Sequence, residues 1–301
     1  MLHTVAKLHY ESDLSQVQIA KQLGLSTATI SRLLQRARSE GIVRIEVRDL
    51  FSPDELGRQL ADRLGLQQVI AVDAPASNQL SALASPLSHL LSAAGLGRDK
   101  VLMVGWGRTV WSVIDAGFPP MSGVSVVPST GGMQQHAQQF QSNEFSRRVA
   151  EVAGGVPHFI FAPYLPAVVA LDHFLTDQSV QASVALWDRI DVAVVGIGLP
   201  HALERPTASS DQANPQLADA AGDVVRHYFD RQGNIIPWEG EERMIAVSCN
   251  QLRAIPIAIG LAVGEVKVPS IIGAARARLV NTLITDTRTA EAVLDAVAKG
   301  A

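Results

Sequence analysis

The hydrophobic and polar positions of the chain follow one pattern at its start and another further on. In the first fifty residues apolar side chains recur every three or four positions, which is typical of amphipathic helices. From residue 101 onward they form short continuous runs that end in glycine-containing turns, which is typical of strands buried on both faces. The change predicts two domains, residues 1–50 and residues 51–301.

Two short helices that meet at a tight turn are predicted between residues 15 and 39. Ser15 is a suitable N-cap for the first helix, and Gln18 completes a capping box. Gly24 can adopt the left-handed conformation that ends this helix, and Ser26 caps the next. The apolar positions of the two helices are Val17, Ile19, Ala20, Leu23, Ile30, Leu33, Leu34 and Ala37. This arrangement predicts a helix-turn-helix.

Short polar side chains project from the unburied side of the second helix. Arginine and glutamine are suited to the edges of guanine and adenine in the major groove, and Arg36 and Arg38 lie where phosphates would pass. The predicted DNA-binding positions are Ser26, Thr27, Ala28, Ser31, Arg32, Gln35 and Arg36. The alternative is an ordinary helical hairpin with a solvated polar face. We interpret this helix as a DNA readout helix.

The segments beside this motif complete the predicted DNA-binding domain. Residues 2–11 predict a supporting helix with Val5 and Leu8 facing inward. After Gly41, apolar residues alternate with charged ones at Val43, Ile45 and Val47. Alternation predicts a half-buried strand, and therefore a winged domain.

A leucine stripe follows the first domain. Leu56, Leu60 and Leu64 recur every four residues, which predicts a helix that serves as a linker or as a dimer seam. A strand at 68–72 and a helix from about 77 to 94 are predicted next.

Five apolar runs in the second domain predict strands that alternate with helices. The runs are VLMVGWGRT at 101–109, VSVVPSTGGM at 124–133, DVAVVGIGLP at 191–200, IPIAIGLAVGEVK at 255–267 and LVNTLITD at 279–286. The helices predicted around them lie at 109–116, 142–153, 178–188 and 269–278. This alternation predicts an α/β fold with a parallel sheet covered on both faces. In such sheets ligands bind beyond the carboxyl ends of the strands, where these turns lie.

Glycine turns at these strand ends are candidates for anion binding through backbone N–H groups. The turn at 105–107 opens a helix, so that Thr109 and nearby amides are placed to hold phosphate. The turn at 130–132 is similar, Lys267 is a flexible cation, and Asp223 is either an acceptor for sugar hydroxyls or a helix cap. For each position the alternative is an ordinary structural role, such as tight strand-to-helix packing or a surface lysine.

Charge and composition limit the class of protein to which this chain can belong. Residues 1–48 carry seven Lys/Arg and four Asp/Glu, which is a net charge of +3. Because the whole chain has a net charge of −4, residues 49–301 carry −7. A basic end on an acidic body fits a protein that contacts nucleic acid with one part only. No membrane helix or secretory signal is found, and a cytoplasmic protein is expected. The single Cys249 excludes an intramolecular disulfide framework and is expected to be a buried small hydrophobe.

No assembled catalytic motif is found. The sequence lacks H-E-x-x-H, G-x-S-x-G, a Walker A loop and paired cysteine ligands, and its eight histidines show no metal-ligand spacing. No metal or cofactor is therefore predicted. The polar segment 200–216 is predicted to be a mobile loop or lid beside the pocket.

Over nearly its entire length the chain resembles the SorC family of bacterial sugar-responsive transcription factors. The resemblance rests on the helix-turn-helix segment and on GWGRT, VVPSTGG, SNEFSRRVAE, DVAVVGIG, GDVVRHYFD followed by GNI, and LITD-x-x-T-A. It implies a winged helix-turn-helix and a Rossmann-like effector domain that is similar to sugar-phosphate isomerases and deaminases but non-enzymatic. It also implies a sugar or phosphorylated sugar as inducer, double-stranded operator DNA as partner, and a homotetramer built as a dimer of dimers.

The resemblance also implies which residues bind the effector. They are Gly105, Gly107, Arg108, Thr109, Thr130, Gly131, Gly132, Asn143, Asp223 and Lys267. Asp223 and Lys267 match an aspartate and a lysine that contact the inducer in members recognising phosphorylated ligands. The chain departs from the family at Val263, which replaces a glycine, and at Ala277 and Arg278, where two glycines are common. Arg278 either adds an anion contact or faces solvent.

The leading interpretation is a transcriptional regulator of a carbohydrate operon whose DNA affinity is set by a sugar or sugar phosphate. The rival is a sugar-phosphate isomerase or deaminase joined to a DNA-binding domain. Against the rival, the strand end at 196–200 lacks the acidic pair that such isomerases carry there. The sequence leaves open the inducer, the operator, and whether the protein acts as a repressor or an activator.

Overall fold

The structure, a computed structural model, describes residues 1–43, 53–74, 78–132, 141–199 and 215–300. Its contacts divide the chain into two compact units, Met1–Leu50 and Phe51–Ala301. The predicted wing strand beyond Val43 and all but the last two residues of the predicted lid at 200–216 lie outside the described residues. Among the residues that are described, no helix is both long and apolar enough to cross a bilayer.

Residues 1–43 of the first unit fold into three helices. They are α1 (Leu2–Tyr10), α2 (Gln16–Leu23) and α3 (Thr27–Ser39). Their shared core consists of Val5, Ile19, Ala20, Ile30 and Leu34. The predicted helix-turn-helix and its supporting helix are therefore confirmed.

The local signals that delimit these helices are present as predicted. The Ser15 N–H donates to Gln18 Oε1 at 2.8 Å, and the Gln18 N–H donates to Ser15 Oγ at 3.3 Å, which closes the capping box. Gly24 has φ 66° and ends α2 in the left-handed conformation. Val17, predicted to face the core, is 67% exposed. That assignment is wrong because Ile19 and Ala20 form the buried side of α2, and Val17 does not lie on that side.

The described residues of the second unit include nine strands. They are β1 (Gln68–Val72), β2 (Val101–Val104), β3 (Ser125–Pro128), β4 (Val156–Pro157), β5 (Val192–Gly196), β6 (Gly222–Val224), β7 (His227–Phe229), β8 (Ile257–Leu261) and β9 (Thr282–Asp286). Seven of them form one sheet in the order β1-β9-β8-β5-β2-β3-β4, and every neighbouring pair is parallel. Strands β6 and β7 form a separate antiparallel hairpin. The predicted parallel α/β sheet is confirmed.

Helices cover both faces of the sheet. They are α4 (Pro53–Leu64), α5 (Gln79–Ala82), α6 (Ala84–Ala93), α7 (Arg108–Ala116), α8 (Ser142–Ala153), α9 (Leu171–Thr176), α10 (Gln178–Val184), α11 (Cys249–Ala254), α12 (Val268–Arg276) and α13 (Thr287–Ala298). Because successive side chains of a strand point to opposite faces, Leu102 and Val104 pack in one core while Val101 and Met103 pack in the other. This two-sided burial explains why the strands are continuous apolar runs in the sequence.

The leucine stripe predicted as a linker or dimer seam lies in α4 and is buried within its own unit. Leu56, Leu60 and Leu64 are 1%, 0% and 9% exposed, and they belong to the core that also contains residues of β1. A Cβ at Gly57 would collide with the carbonyl oxygen of Val69, so glycine lets the helix lie directly on the strand. The interpretation as a linker or seam is therefore wrong.

Candidate functional site

The predicted DNA-binding positions share one exposed surface of the first unit. All seven are exposed, while Ile30, Leu34 and Ala37 of the same helix are buried. The exposed positions are Ser26, Thr27, Ala28, Ser31, Arg32, Gln35 and Arg36. A readout helix needs a polar face that its own domain leaves exposed, and α3 has such a face.

Two of these positions are also engaged within the helix. Ser26 caps α3 through Oγ, which accepts the Thr29 N–H at 3.1 Å. Arg36 donates to Glu40 Oε1 at 2.7 Å, one helical turn further on. Arg32 and Gln35 lie between them on the exposed face, so these two are the side chains best placed to read base edges.

The effector-binding candidates lie where the order of the parallel strands reverses. From β2 the chain proceeds outward to β3 and β4 on one side, and from β5 it proceeds outward to β8 and β9 on the other. Adjacent strands whose connections depart in opposite directions leave a crevice beyond their carboxyl ends. The residues that follow β2 and β5 are therefore the expected lining of a ligand site.

The first glycine turn lies at this crevice. The Gly105 N–H donates to the Val194 carbonyl at 2.8 Å, and a Cβ at Gly105 would lie 3.2 Å from Val195 Cα. Gly107, with φ 117°, is the N-cap of α7, whose first residues are the exposed Arg108 and the half-buried Thr109. Glycine at 105 is needed for close strand packing, while the N-terminus of α7 is the part of the turn suited to an anion.

The second glycine turn, at 130–132, uses its backbone groups within the protein. The Gly131 N–H donates to the Ile245 carbonyl at 2.9 Å, and the Gly132 N–H donates to the Ala162 carbonyl at 2.8 Å. Thr130 is fully buried, with Oγ1 at 2.8 Å from Ser142 Oγ. The structure therefore does not support anion binding by these amides, because internal carbonyls already accept their hydrogen bonds.

Asn143 lies in the first turn of α8, as predicted, and its side chain holds a neighbouring loop. Its Oδ1 accepts the Ile160 N–H at 2.9 Å, and its Nδ2 donates to the Ile160 carbonyl at 3.1 Å. This pair of bonds satisfies both polar groups of one backbone residue. Asn143 thus positions the wall beside the 130–132 turn.

Asp223 lies in β6, and the alternative role of a helix cap is wrong. The Gly198 N–H donates to the Asp223 carbonyl at 2.8 Å, which joins the hairpin to the residues after β5. Its Oδ2 accepts the backbone N–H of Arg226 at 3.0 Å. A Cβ at Gly198 would overlap the Asp223 carboxylate, so glycine there makes room for this acid at the crevice.

Lys267 reaches the same place from the connection between β8 and α12. Its Nζ donates to the Ile197 carbonyl at 2.7 Å, and the side chain is half-buried. The reading as an ordinary surface lysine is therefore wrong. Ile197 directly precedes Gly198, so Lys267 and Asp223 contact two consecutive residues just beyond the end of β5.

Arg226 is a further residue of this site that the sequence analysis did not select. It is only 8% exposed, its guanidinium carbon lies 5.0 Å from the Trp106 ring centroid, and Nη1 donates to Tyr228 Oη at 3.1 Å. Val225 and Arg226 form the hairpin tip with φ 53° and 65°, a conformation that is costly for a β-branched residue. Such strained tips concentrate at ligand sites. The signal in the sequence is a bulky pair where a two-residue hairpin normally has Asn-Gly.

Tyr164 lies between the second glycine turn and the charged residues of the hairpin. Its N–H donates to the Gly132 carbonyl at 2.8 Å. Burial raises the pKa of the Tyr164 hydroxyl to about 12, with opposing contributions from the charges of Arg226 and Asp223. At neutral pH this phenol is therefore a neutral hydrogen-bond donor beside the two charges.

Two features lie apart from this crevice. Arg278 is exposed and has φ 58°, so the alternative in which it faces solvent is the one that the structure favours. Open clefts occur elsewhere in the unit, one against α4 and β1 and one beside Trp238 and Glu241. Neither contains a predicted effector-binding residue.

Comparisons with known proteins agree with both units. Residues 48–295 match the family described as "Putative sugar-binding domain", and residues 8–44 match the family described as "Winged helix-turn-helix DNA-binding". The chain is 30% identical over 307 residues to the sorbitol operon regulator of Klebsiella pneumoniae, with 96% of each chain covered. It is also 30% identical over 309 residues to the deoxyribonucleoside regulator of Bacillus subtilis (strain 168), with the same coverage.

A solved structure has the same architecture over almost the whole chain. The crystal structure of the full-length sorbitol operon regulator SorC from Klebsiella pneumoniae superposes with a TM-score of 0.74 at 29% identity, covering 97% of both chains. The fold class and the family resemblance inferred from the sequence are confirmed. The chain belongs to the SorC family of DNA-binding transcriptional regulators, in which a helix-turn-helix precedes a sugar-binding domain.

Proposed function

We propose that this regulator controls a carbohydrate operon by binding a sugar or sugar phosphate in the crevice beyond β2 and β5. The observation that carries the proposal is that Lys267 contacts the residue after β5, while Arg226, whose backbone N–H donates to Asp223, contacts the turn after β2. Asp223 and Arg226 belong to the β6–β7 hairpin and Lys267 to the β8–α12 connection, and their contacts lie at the strand ends where α/β sheets bind ligands.

The chemistry of these groups fits a phosphorylated polyol. The ammonium group of Lys267 and the guanidinium of Arg226 are suited to phosphate oxygens, and the N-terminus of α7 adds backbone donors. The Asp223 carboxylate is suited to accept hydroxyl hydrogen bonds, and the neutral Tyr164 hydroxyl is suited to donate one. A ligand of this kind would replace the Ile197 carbonyl as the partner of Lys267.

Regulation requires only that the effector bind two arrangements of the protein with different affinity. The favoured arrangement then changes how well the readout helices of two protomers match the spacing of the operator half-sites. A coupling free energy of about 1–3 kcal/mol would change DNA affinity about 5- to 150-fold. We propose double-stranded operator DNA as the partner of the exposed face of α3, in the cytoplasm.

A homotetramer built as a dimer of dimers is part of this proposal. Paired protomers are needed to occupy two half-sites on DNA. The second unit offers apolar surface for such contacts, because Phe161, Val168 and Val169 are 71%, 75% and 94% exposed. Light scattering coupled to size-exclusion chromatography measures the number of chains directly.

We propose that the effector site performs no catalysis and needs no cofactor. The residues at the end of β5 are Ile197, Gly198 and Leu199, none of which can transfer a proton to or from a substrate carbon. Incubation with ribose 5-phosphate and glucosamine 6-phosphate should therefore give no product. Turnover at enzymatic rates would instead support the isomerase or deaminase alternative.

A ligand screen on the full chain tests the proposed function. Thermal unfolding is followed with sugars, sugar phosphates and inorganic phosphate, and compounds that raise the midpoint are tested for release of operator DNA in a gel shift. We expect one sugar class to act in both assays. The proposal fails if no sugar or sugar phosphate stabilises the protein, or if those that stabilise it leave DNA binding unchanged.

A further inference from the structure

Three chemically distinct ligand groups lie together where β7 begins. They are the imidazole of His227, the carboxylate of Glu241 and the thiol of Cys249, whose ligand atoms all lie within 4.8 Å of one another. Glu241 lies 14 positions after His227, and Cys249 lies 8 positions after Glu241, so spacing in the sequence gives no sign of the cluster. The fold brings them together from a strand, a 3-10 turn and the start of α11.

The orientation of His227 is fixed in the way that metal-binding histidines are fixed. His227 is 5% exposed, and its Nε2 lies 2.8 Å from the Val247 carbonyl oxygen. A backbone carbonyl accepts only from a protonated nitrogen, so this bond places a hydrogen on Nε2. The other ring nitrogen, Nδ1, then points toward Glu241 Oε1 at 3.0 Å. A metal-ligating histidine typically donates its second N–H to just such a carbonyl.

We propose that His227 Nδ1, the Glu241 carboxylate and the Cys249 thiolate bind a divalent transition-metal ion, with Zn²⁺ as the best match. Nitrogen, oxygen and sulfur ligands together suit this borderline-soft ion, and three protein ligands leave a fourth tetrahedral position for water. Binding through Nδ1 leaves the Nε2 proton of His227 hydrogen-bonded to the Val247 carbonyl and releases the thiol proton of Cys249 to solvent. The half-buried Glu241 and Cys249, beside the cleft lined by Trp238, leave the ion a path from solvent.

Zinc titration of the full chain, expressed without a polyhistidine tag and stripped with chelator, tests the site. We expect one Zn²⁺ per chain, and affinity lowered about tenfold or more in both Cys249→Ser and Glu241→Gln. The matched controls are Glu242→Gln and His89→Gln, which change exposed residues and should bind as the wild type does. Unchanged affinity in Cys249→Ser, or no binding at one equivalent, would overturn the proposal.

Two further measurements use wild-type protein, so they do not depend on whether a variant folds. Because Cys249 is the single cysteine of the chain, a thiolate-to-cobalt absorption band after loading wild-type protein with Co²⁺ reports this site alone. Zn²⁺ should also slow the alkylation of Cys249 by iodoacetamide in wild-type protein, and Mg²⁺ should not, since it prefers oxygen ligands. A cobalt spectrum without that band, or alkylation that Zn²⁺ does not slow, contradicts the assignment.

Discussion

The guanidinium of Arg226 lies over the indole ring of Trp106, with 5.0 Å between the guanidinium carbon and the ring centroid. Trp106 is the middle residue of the turn after β2, and Arg226 is at the tip of the β6–β7 hairpin. A cation held against an aromatic face in a buried setting is attracted to it by about 0.5–2 kcal/mol. The contact therefore joins the hairpin that carries Asp223 to the glycine turn, and it holds a positive charge at the crevice.

Replacing Arg226 by glycine should weaken the response to the effector while the hairpin stays folded. Glycine adopts φ 65° without strain, which offsets part of the lost contact with Trp106, so the variant should fold. A hydrogen bond to a charged group contributes about 1.5–3 kcal/mol, so the effector concentration needed for DNA release should rise about ten- to a hundredfold. Gel-shift titration with the effector measures that concentration.

Arg231→Ala is the matched control for this prediction, because Arg231 is an exposed arginine just beyond the same hairpin. It should release DNA at the wild-type effector concentration. If Arg226→Gly responds as the wild type does, Arg226 acts in the hairpin alone and does not contact the effector.

Lys267→Ala should abolish the effector response and leave DNA binding intact. The ammonium group lies 2.7 Å from the Ile197 carbonyl at the end of β5, and its loss removes the cation best placed for a phosphate. Operator affinity without effector, and release by effector, are measured on the same preparation. Lys299→Ala, which changes an exposed lysine at the end of α13, is the control. Normal release of the Lys267 variant would remove this residue from the site.

Leu60→Ala tests whether α4 is core rather than a seam between chains. Leu60 is fully buried, and truncation of such a leucine lowers the free energy of unfolding by about 2–5 kcal/mol. The loss should be the same at low and high protein concentration, because the contacts lie within one chain. Denaturant unfolding measures it, and a loss that disappears at high protein concentration would restore the dimer-seam interpretation.

Local signals made much of the fold predictable from the sequence. The capping box of α2, the left-handed Gly24 and the apolar runs of the strands each depend on neighbours within a few positions. The leucine stripe of α4 was equally clear, but periodicity cannot say whether a stripe faces another chain or the strand that follows it. Only the packing of Gly57 on Val69 decides that question.

The candidate site was predictable only in part, because its contacts join distant segments. Lys267 and Asp223 were selected from the sequence, but the Ile197 carbonyl that accepts from Lys267 lies 70 positions away from it. The amides of the 130–132 turn match an anion-binding pattern, and their acceptors lie in segments more than 25 residues away. Arg226 escaped selection because its partner Trp106 belongs to another turn.

His158 should make the second unit less stable in mild acid. Burial lowers the pKa of its imidazole, and Nε2 has no hydrogen-bond partner among the described residues. Below the unfolded-state value of about 6.5 the unfolded chain therefore binds more protons at this residue than the folded chain does. Stability is thus lost as the pH falls from 7 toward 5, and His158→Gln should lose less over that interval. Equal losses in the two proteins, by denaturant unfolding, would contradict this.

Arg32→Ala should reduce discrimination between operator and other DNA more than it reduces affinity for DNA in general. Arg32 is exposed on α3, and a bidentate contact from arginine to guanine contributes about 1–3 kcal/mol to the choice of base. Competition of labelled operator with unlabelled operator and with scrambled DNA, at fixed salt concentration, measures the ratio of the two affinities. Lys7→Ala removes an exposed positive charge from α1 and should leave that ratio unchanged. If Arg32→Ala instead weakens binding to both DNAs equally, Arg32 contacts phosphate, and Gln35 becomes the side chain to test for base readout.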